Sequence, residues 1–137
     1  MEGVSLHDIS FEAYARNENW ADVLLPDGLN IIDWIETADE FYSVGKELTK
    51  IWQKLDGGIA LACLQKNPEH SLGIGGVFTL QRPSLYMTLD FDKNYHYLRI
   101  KKARNWRNQD QNPVGLCRKF IIKNSINIEA RQAWIKE

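Results

Sequence analysis

Two nearly continuous runs of apolar residues, separated by a segment with helical periodicity, form the clearest pattern along this chain. The first run lies within residues 29–35 and the second within residues 59–64. Apolar residues without polar alternation are typical of strands in parallel sheets, which helices cover on both faces. We therefore expect two strands, each of them buried on both faces.

Between these runs, apolar residues recur at helical spacing and predict an amphipathic helix of about four to five turns. Its apolar face comprises Phe41, Val44, Leu48, Ile51, Trp52 and Leu55. Thr37 and Glu40, three positions apart, fit a capping box at the start of the helix, and Gly57 and Gly58 supply its end. A strand, a helix and a strand in this order predict a βαβ unit with parallel strands.

A parallel pair brings the carboxyl ends of its two strands to one edge of the sheet. Asp33 lies at the end of the first strand, and Gln65 directly follows the second. Ligands of open α/β sheets bind at this edge, where strand ends and helix starts converge on a crevice. Asp33 and Gln65 are therefore candidate site residues. The alternative is that both merely cap their strands and bond to loop amides.

The rest of the chain predicts a loop followed by an antiparallel meander. Residues 66–83 are rich in glycine and contain two prolines, which predicts a long mobile loop. From Ser84 the apolar period changes to two, which predicts strands at residues 85–90, 95–103 and 116–122 and a short one at 126–128. Within the second of these strands, one side is expected to carry His96, Leu98, Ile100 and Lys102, and the other Tyr97, Arg99, Lys101 and Ala103.

The predicted fold class is α/β, with a parallel βαβ unit followed by an antiparallel β-meander in a single domain of 137 residues. Its parts are a poorly defined amino-terminal segment (1–25), the βαβ unit (26–65), a Gly-rich loop (66–83) and antiparallel strands (84–128). No apolar run is long enough to span a bilayer, and the first residues lack the features of a secretory signal. We expect a cytoplasmic protein without a membrane partner.

The two cysteines and the distribution of charge indicate which ligands the chain is expected to bind. Cys63 and Cys117 lack metal-ligand spacing and are expected to be buried or free thiols. Residues 1–56 contain twelve acidic and four basic side chains, whereas residues 93–123 contain nine basic side chains and one acidic. This segregation favours contact with the phosphates of a nucleotide or a nucleic acid. The alternative is a solvated basic face that forms ion pairs with the acidic half.

Three segments together resemble the carboxyl-terminal half of a RecA-type P-loop ATPase, most like the DnaB-type replicative helicases and related phage ATPases. Residues 31–35 resemble the Walker B strand, an apolar run followed by Asp, an aromatic and an aliphatic residue. Residues 59–65 resemble the next strand, which ends on a glutamine. Lys102-Ala103-Arg104-Asn105, followed by Pro113-Val114-Gly115, is similar to the family's Lys-x-Arg-Asn segment and Pro-x-Gly turn. The resemblance covers residues 26–123.

The chain departs from the family pattern in three respects. The sequence contains no Gly-x-x-x-x-Gly-Lys-Ser/Thr, so the Walker A loop that holds phosphates is missing. The family's catalytic glutamate has no counterpart here, and residues 106–112 are an insertion before the Pro-Val-Gly turn. The resemblance therefore implies a fragment, a truncated gene product or a subunit that hydrolyses ATP only with a phosphate-loop-bearing half or partner.

The resemblance also implies roles for individual residues. Asp33 would bind the Mg²⁺ that accompanies ATP, and Gln65 would relay the state of the terminal phosphate. Lys102 and Arg104, two positions apart on an extended segment, would enter the active site of a neighbouring subunit in a ring of identical or homologous subunits. Four further residues would contact single-stranded DNA, namely Lys66, Arg82, Trp106 and Arg107.

Two other interpretations remain open. The chain is alternatively a non-catalytic module that binds single-stranded nucleic acid or joins an ATPase ring through its basic face. The third interpretation is an α/β domain whose charges serve solubility only.

Overall fold

The computed structural model describes residues 10–36 and 42–137 and contains two sheets with different strand orientations. The smaller sheet has two parallel strands, and the larger has five antiparallel strands in the described part of the chain. This arrangement confirms the mixed α/β class and the order of the elements.

The parallel half consists of β1 (Leu29–Ile35), α1 (Ser43–Lys54) and β2 (Ile59–Leu64). Residues 29–32 of β1 pair in continuous parallel register with residues 59–62 of β2, which confirms the βαβ prediction. The capping box predicted at Thr37 and Glu40 lies outside the described residues.

Helix α1 packs on one side of this parallel pair because its apolar side chains repeat on one face. Val44, Leu48 and Ile51 are buried against Ile32 and Ile35 of β1, as the helical period predicts. Trp20 and Leu24, from the 3₁₀ helix Trp20–Val23 and the residue after it, close the same core. Trp52 was expected on this face, but it is half exposed and lies outside the core, where Arg82 lies over its ring.

The prediction that β1 and β2 are buried on both faces is wrong. Only the face toward α1 is covered, and the side chains that alternate with it point away from the core. Four large apolar residues on this second face are 50–69% exposed, namely Leu29, Ile31, Ile59 and Leu61. The βαβ unit has a helix on one side only, and no other described element covers the opposite side.

A β-bulge interrupts the end of β1. Ile32 pairs with Ala62 and Ile35 pairs with Leu64, so that Asp33 and Trp34 together face the single residue Cys63. Trp34 has φ 78°, a left-handed conformation that costs a bulky side chain roughly 1–3 kcal/mol. The bulge changes the direction of the strand at the position of the candidate site.

The antiparallel half contains β3 (Leu85–Asp92), β4 (Tyr95–Ala103), β5 (Leu116–Lys123), β6 (Asn127–Ala130) and β7 (Ile135–Lys136). β3, β4, β5 and β6 are neighbours in this order, and β7 pairs with β5 beside β6. The meander is therefore confirmed, and β7 is a strand that the sequence pattern did not reveal.

A second bulge alters which side chains share a face of β4. Tyr86 pairs with Lys102, whereas Met87 pairs with Ile100, so one residue of β4 is unpaired between them. Because paired residues share a face, Lys102 lies on the same side as Arg99 rather than with Ile100. The predicted placement of Lys102 and Ala103 is wrong for this reason.

The larger sheet also turns its most apolar positions outward. Leu85, Met87 and Leu89 are exposed, whereas Tyr86 and Thr88 are buried. The buried side of β3 lies under the segment 66–83, which contains the 3₁₀ helix Gly76–Leu80 and is therefore more than an irregular loop. The Gly73 N–H donates a hydrogen bond of 2.9 Å to the hydroxyl of Tyr86, which fixes this segment over the sheet.

The described helices are too short or too polar to cross a membrane.

Candidate functional site

The carboxyl-terminal edge of the parallel pair carries the first two candidate residues. Asp33 lies in the bulge at the end of β1, and Gln65 follows the last residue of β2, Leu64. Both side chains are exposed, and no described residue forms an ion pair or hydrogen bond with the Asp33 carboxylate. The Gln65 carbonyl accepts a hydrogen bond of 2.7 Å from the Ile74 N–H, which holds the start of the segment 66–83 near this edge.

A single exposed carboxylate is compatible with a magnesium ion held mainly by water and substrate phosphates, since Mg²⁺ uses only one or two protein carboxylates in such sites. Within residues 10–36 and 42–137, no group of three or more His, Cys, Asp or Glu side chains is arranged to hold a metal ion. Asp33 is thus a single exposed carboxylate, which could supply one such protein ligand.

Lys102 and Arg104 form a second group, beside the end of the 3₁₀ helix Gly76–Leu80. The Lys102 ammonium donates to the carbonyls of Leu80 and Gln81, and the Arg104 guanidinium donates to the Gln81 carbonyl at 2.7 Å. Burial lowers the pKa of Lys102, and the charge of Arg104 lowers it further. Within the chain both cations bind backbone carbonyls, and the predicted contact with the active site of a neighbouring subunit stays a prediction.

Arg82 lies against helix α1. Its Nε is 3.3 Å from the Thr49 hydroxyl, and its guanidinium carbon is 4.8 Å from the centre of the Trp52 ring. These contacts join the segment 66–83 to the helix. The structure therefore gives Arg82 a packing role and leaves its predicted contact with nucleic acid as a proposal.

Lys66 belongs to an ion-pair network on the covered side of the large sheet. Its ammonium lies 2.5 Å from one oxygen of Asp90, and Arg99 lies 3.1 Å from the other. Arg99 also donates to Glu137 at 2.7 Å, and this hydrogen bond holds the pKa of Glu137 below its ordinary value. Lys66 is mostly buried and its charge is balanced.

This network borders an open concavity of about 860 Å³, which also contacts Tyr97, Lys101 and Lys119. The Lys119 ammonium lies 5.9 Å from the centre of the Tyr95 ring and 5.5 Å from that of Tyr97. Arg99 lies 5.0 Å from the Tyr97 ring. Sequence reasoning did not select Tyr95, Tyr97 or Lys119, although the period-two pattern of β4 placed Tyr97, Arg99 and Lys101 on one side.

Trp106 and Arg107 lie in the insertion after β4. Arg107 is exposed, whereas the Trp106 indole N–H is buried without a partner among the described residues. The cation thus has access to solvent and the ring has little. The two residues are adjacent in sequence and do not form a stacked pair.

The candidate residues therefore separate into two groups. Asp33 and Gln65 share the edge of the small sheet, and Lys102 and Arg104 lie together beside the large sheet. No described hydrogen bond or ion pair joins the groups.

Comparison of the chain with protein-family models, curated proteins and solved structures gave no match.

Proposed function

We propose that this chain is the carboxyl-terminal part of a RecA/DnaB-like ATPase that handles DNA and requires a phosphate-loop-bearing half or partner. The observation that carries this proposal is the parallel register of β1 and β2, which puts Asp33 and Gln65 at one edge. In α/β sheets this edge is where ligands bind. The two strands resemble the Walker B strand and the strand that follows it in RecA-type ATPases. This resemblance indicates a nucleotide as the ligand.

In this proposal the Asp33 carboxylate would hold Mg²⁺, and the ion would supply positive charge that offsets the negative charge of the ATP phosphates. The carboxylate is exposed and has no described partner, so it remains available to a metal and its water shell. Gln65 contacts the terminal phosphate and, through its backbone bond to Ile74, transmits its presence to the segment 66–83.

Lys102 and Arg104 act in the active site of a neighbouring subunit. Their separation from Asp33 and Gln65 within one chain supports this assignment, because a head-to-tail ring brings one surface of a subunit to a different surface of the next. The carbonyls of Leu80 and Gln81 hold the two cations side by side until phosphates replace them. Cations in this position stabilise charge in the transition state.

The test is ATP turnover by the chain mixed with a separately expressed phosphate-loop half of a DnaB-type helicase. We expect turnover by the mixture and none by the chain alone. Asp33→Ala abolishes turnover, and Arg104→Ala lowers it by about 10³-fold or more, the effect typical of such cations. Lys54→Ala, which removes an exposed cation at the end of α1, leaves turnover unchanged. Turnover that survives both Asp33→Ala and Arg104→Ala would refute the assigned roles.

A second candidate function has support from a different observation. The cations of Arg99 and Lys119 lie over the rings of Tyr95 and Tyr97 on one side of the large sheet. Aromatic rings beside a cation suit single-stranded nucleic acid, because bases stack on the rings and phosphates meet the cation. Here that cation is Lys119, since Arg99 is already paired with Asp90 and Glu137. We propose this surface as the nucleic-acid contact if the chain has no ATPase activity in any mixture.

A further inference from the structure

Strand β3 lies at the edge of the large sheet. It pairs with β4 along its whole length, and no described strand pairs with its other side. Exposed apolar side chains alternate along β3 with side chains on the covered face of the sheet. The four exposed positions are Leu85, Met87, Leu89 and Phe91.

The backbone groups on the free side of β3 belong to the same four residues. In an antiparallel ladder, residues that bond to the neighbouring strand alternate with residues whose N–H and C=O point away from it. The Ser84 carbonyl accepts a hydrogen bond of 2.8 Å from the Arg104 N–H, so the even-numbered residues of β3 bond to β4. The turn at the other end agrees, because Asp92 pairs with Tyr95 across only Lys93 and Asn94. In the described part of the chain, no hydrogen bond reaches the outward groups of the odd-numbered residues.

β3 lacks the features that commonly keep an edge strand from pairing with another chain. Such edges often carry a lysine, a proline or a bulge. None of these lies within β3, because the bulge opposite Tyr86 puts its extra residue in β4. The Asp90 carboxylate is already paired with Lys66 and Arg99. In contrast, β1 is interrupted by its own bulge, and β6 has only four residues.

The sequence of β3 is complementary to itself in one antiparallel register. When two copies are related by a two-fold axis at Thr88, Leu85 faces Phe91 of the second copy and Met87 faces its Leu89. Each exposed apolar residue therefore meets another apolar residue. Four facing pairs that each exchange two bonds give about eight hydrogen bonds between the copies.

Other positions of the axis do not give this match. An axis at Leu89 puts Leu85 opposite Lys93 in the turn, and an axis at Asp90 brings two carboxylates together. An axis between two residues puts each apolar position opposite a position of the covered face. Only the register centred on Thr88 pairs all four exposed positions with one another.

Thr88 provides independent support for this register. Its side chain is 3% exposed, and its hydroxyl has no hydrogen-bond partner among the described residues. A buried hydroxyl without a partner is destabilising. The two-fold register puts a second Thr88 directly opposite, and facing threonines form hydrogen bonds across antiparallel strands.

We infer that the chain forms a two-fold dimer through β3, in which the two large sheets join into one continuous sheet. The occupant of the edge is a second copy because the complementarity is that of β3 with itself. A two-fold contact occupies the β3 edge of both copies, so that pairing through β3 stops at two chains. The inference does not rest on the proposed function, since no residue of the candidate nucleotide site takes part.

Sedimentation velocity of the full chain over a concentration series tests the dimer. We expect a monomer–dimer equilibrium, and Leu89→Pro should raise its dissociation constant at least 100-fold because proline removes an outward N–H. Leu89→Ala is the matched control, which shortens the side chain but keeps the N–H and should raise the constant less than tenfold. Equal effects of the two variants would indicate packing through side chains alone and would overturn the inference. A chain that stays monomeric throughout the series would overturn it as well.

Circular dichroism should show both variants folded, because the Leu89 N–H is not part of the ladder with β4. If Leu89→Pro is unfolded, Met87→Pro takes its place, since the Met87 N–H also points outward.

Disulfide cross-linking tests the register independently. Facing residues whose backbone groups do not bond to each other have Cα atoms about 4.5 Å apart, which a disulfide can bridge. Thr88→Cys should therefore form a disulfide between two copies on mild oxidation, located at position 88 by peptide mass. Ile122→Cys, at an exposed position of β5, is the control and should not cross-link. Absence of the link at position 88 in a sample that sediments as a dimer would refute pairing through β3.

Discussion

Asp90 is the residue around which the charges on the covered side of the large sheet are arranged. It accepts hydrogen bonds from both Lys66 and Arg99, and Arg99 in turn donates to Glu137. Lys66, Asp90 and Arg99 are only 12%, 24% and 26% exposed, so solvent screens them less than it screens surface pairs, whereas Glu137 is 45% exposed. The network fixes the start of the segment 66–83 to β3 and β4.

The pH dependence of stability tests the outer pair of this network. The hydrogen bond from Arg99 lowers the pKa of Glu137, so the pair stabilises the fold above the ordinary carboxyl pKa. That stability is lost as pH falls through the lowered value. Glu137→Gln should therefore lower the free energy of unfolding at pH 7, measured by urea denaturation, by less than about 1 kcal/mol for so exposed a pair. The loss should be smaller at pH 2.5, because the Glu137 carboxyl becomes protonated as pH falls through its lowered pKa.

Glu69→Gln is the control, because Glu69 is exposed and forms no ion pair among the described residues. It should leave the urea midpoint unchanged at both pH values. An equal loss of stability for Glu137→Gln at pH 7 and pH 2.5 would contradict the ionic origin of the effect.

At the residue scale, the sequence predicted where candidate residues lie in the fold better than it predicted which side chains contact them. The order of the strands was enough to place Asp33 and Gln65 at one edge, because strand ends follow from apolar run lengths. Lys66 and Arg82 were predicted to contact single-stranded DNA, and the sequence did not predict that Asp90 and Trp52 contact them from distant parts of the chain. Such long-range contacts leave no local pattern in the sequence.

The connection from α1 to β2 depends on two glycines with different tasks. Helix α1 ends at Lys54 with Leu55 in an extended conformation, and Gly57, with φ 84°, forms the left-handed turn that follows. Gly58 lies against the turn that precedes β1, and its N–H donates to the Pro26 carbonyl at 3.0 Å. The helix end and both strand starts are therefore fixed at one point.

Gly58→Ala tests this close approach. A Cβ atom at position 58 would lie 2.5 Å from the Pro26 carbonyl oxygen and 2.7 Å from that of Gly28. Both are backbone atoms that cannot rotate away, so we expect a loss of about 1–3 kcal/mol in the free energy of unfolding. Asp56→Ala, an exposed neighbour, should change it by less than about 0.5 kcal/mol. Equal midpoints for the two variants in chemical denaturation would show that the turn can shift.

At the element scale, periodicity predicted the type and order of strands and helix but not their irregularities. The helical spacing of Val44, Leu48 and Ile51 and the apolar runs were sufficient for the βαβ unit. The bulges at Asp33–Trp34 and in β4 depend on the pairing between strands, so the residue types at these positions did not predict them. The second bulge is the reason that Lys102 was assigned to the wrong face.

The whole molecule has less free positive charge than its sequence suggests. Within the basic segment, Arg99 and Lys123 are paired with carboxylates from Glu137 and Glu129. Lys102 and Arg104 are occupied by backbone carbonyls. The surface available to phosphates therefore consists mainly of a few remaining cations, of which Lys119 lies beside the aromatic rings.

Binding of fluorescent dT20 across a salt series tests the nucleic-acid surface. With about three phosphate contacts on a single strand, log K should fall with log salt at a slope near −2. Lys119→Ala should reduce this slope by about 0.7, whereas Tyr97→Ala should weaken binding about 5- to 100-fold at an unchanged slope. Lys54→Ala is the control on the opposite half. Affinity that is independent of salt would exclude this surface as a nucleic-acid contact.

At the scale of the molecule, the least predictable feature was which face of each sheet is covered and which is exposed. The alternation in β3 puts Leu89 and Thr88 on opposite faces of the sheet, but it does not predict which face the rest of the chain covers. The segment 66–83 decides this by lying over Tyr86, and glycine and proline content gave no sign of that contact.

The two-stranded sheet leaves one edge of β1 and one edge of β2 without a neighbour in the described structure. Unpaired backbone amides and carbonyls on such edges recruit further strands from other chains. These two edges are therefore the positions at which a further strand, from this chain or from another, would extend the small sheet.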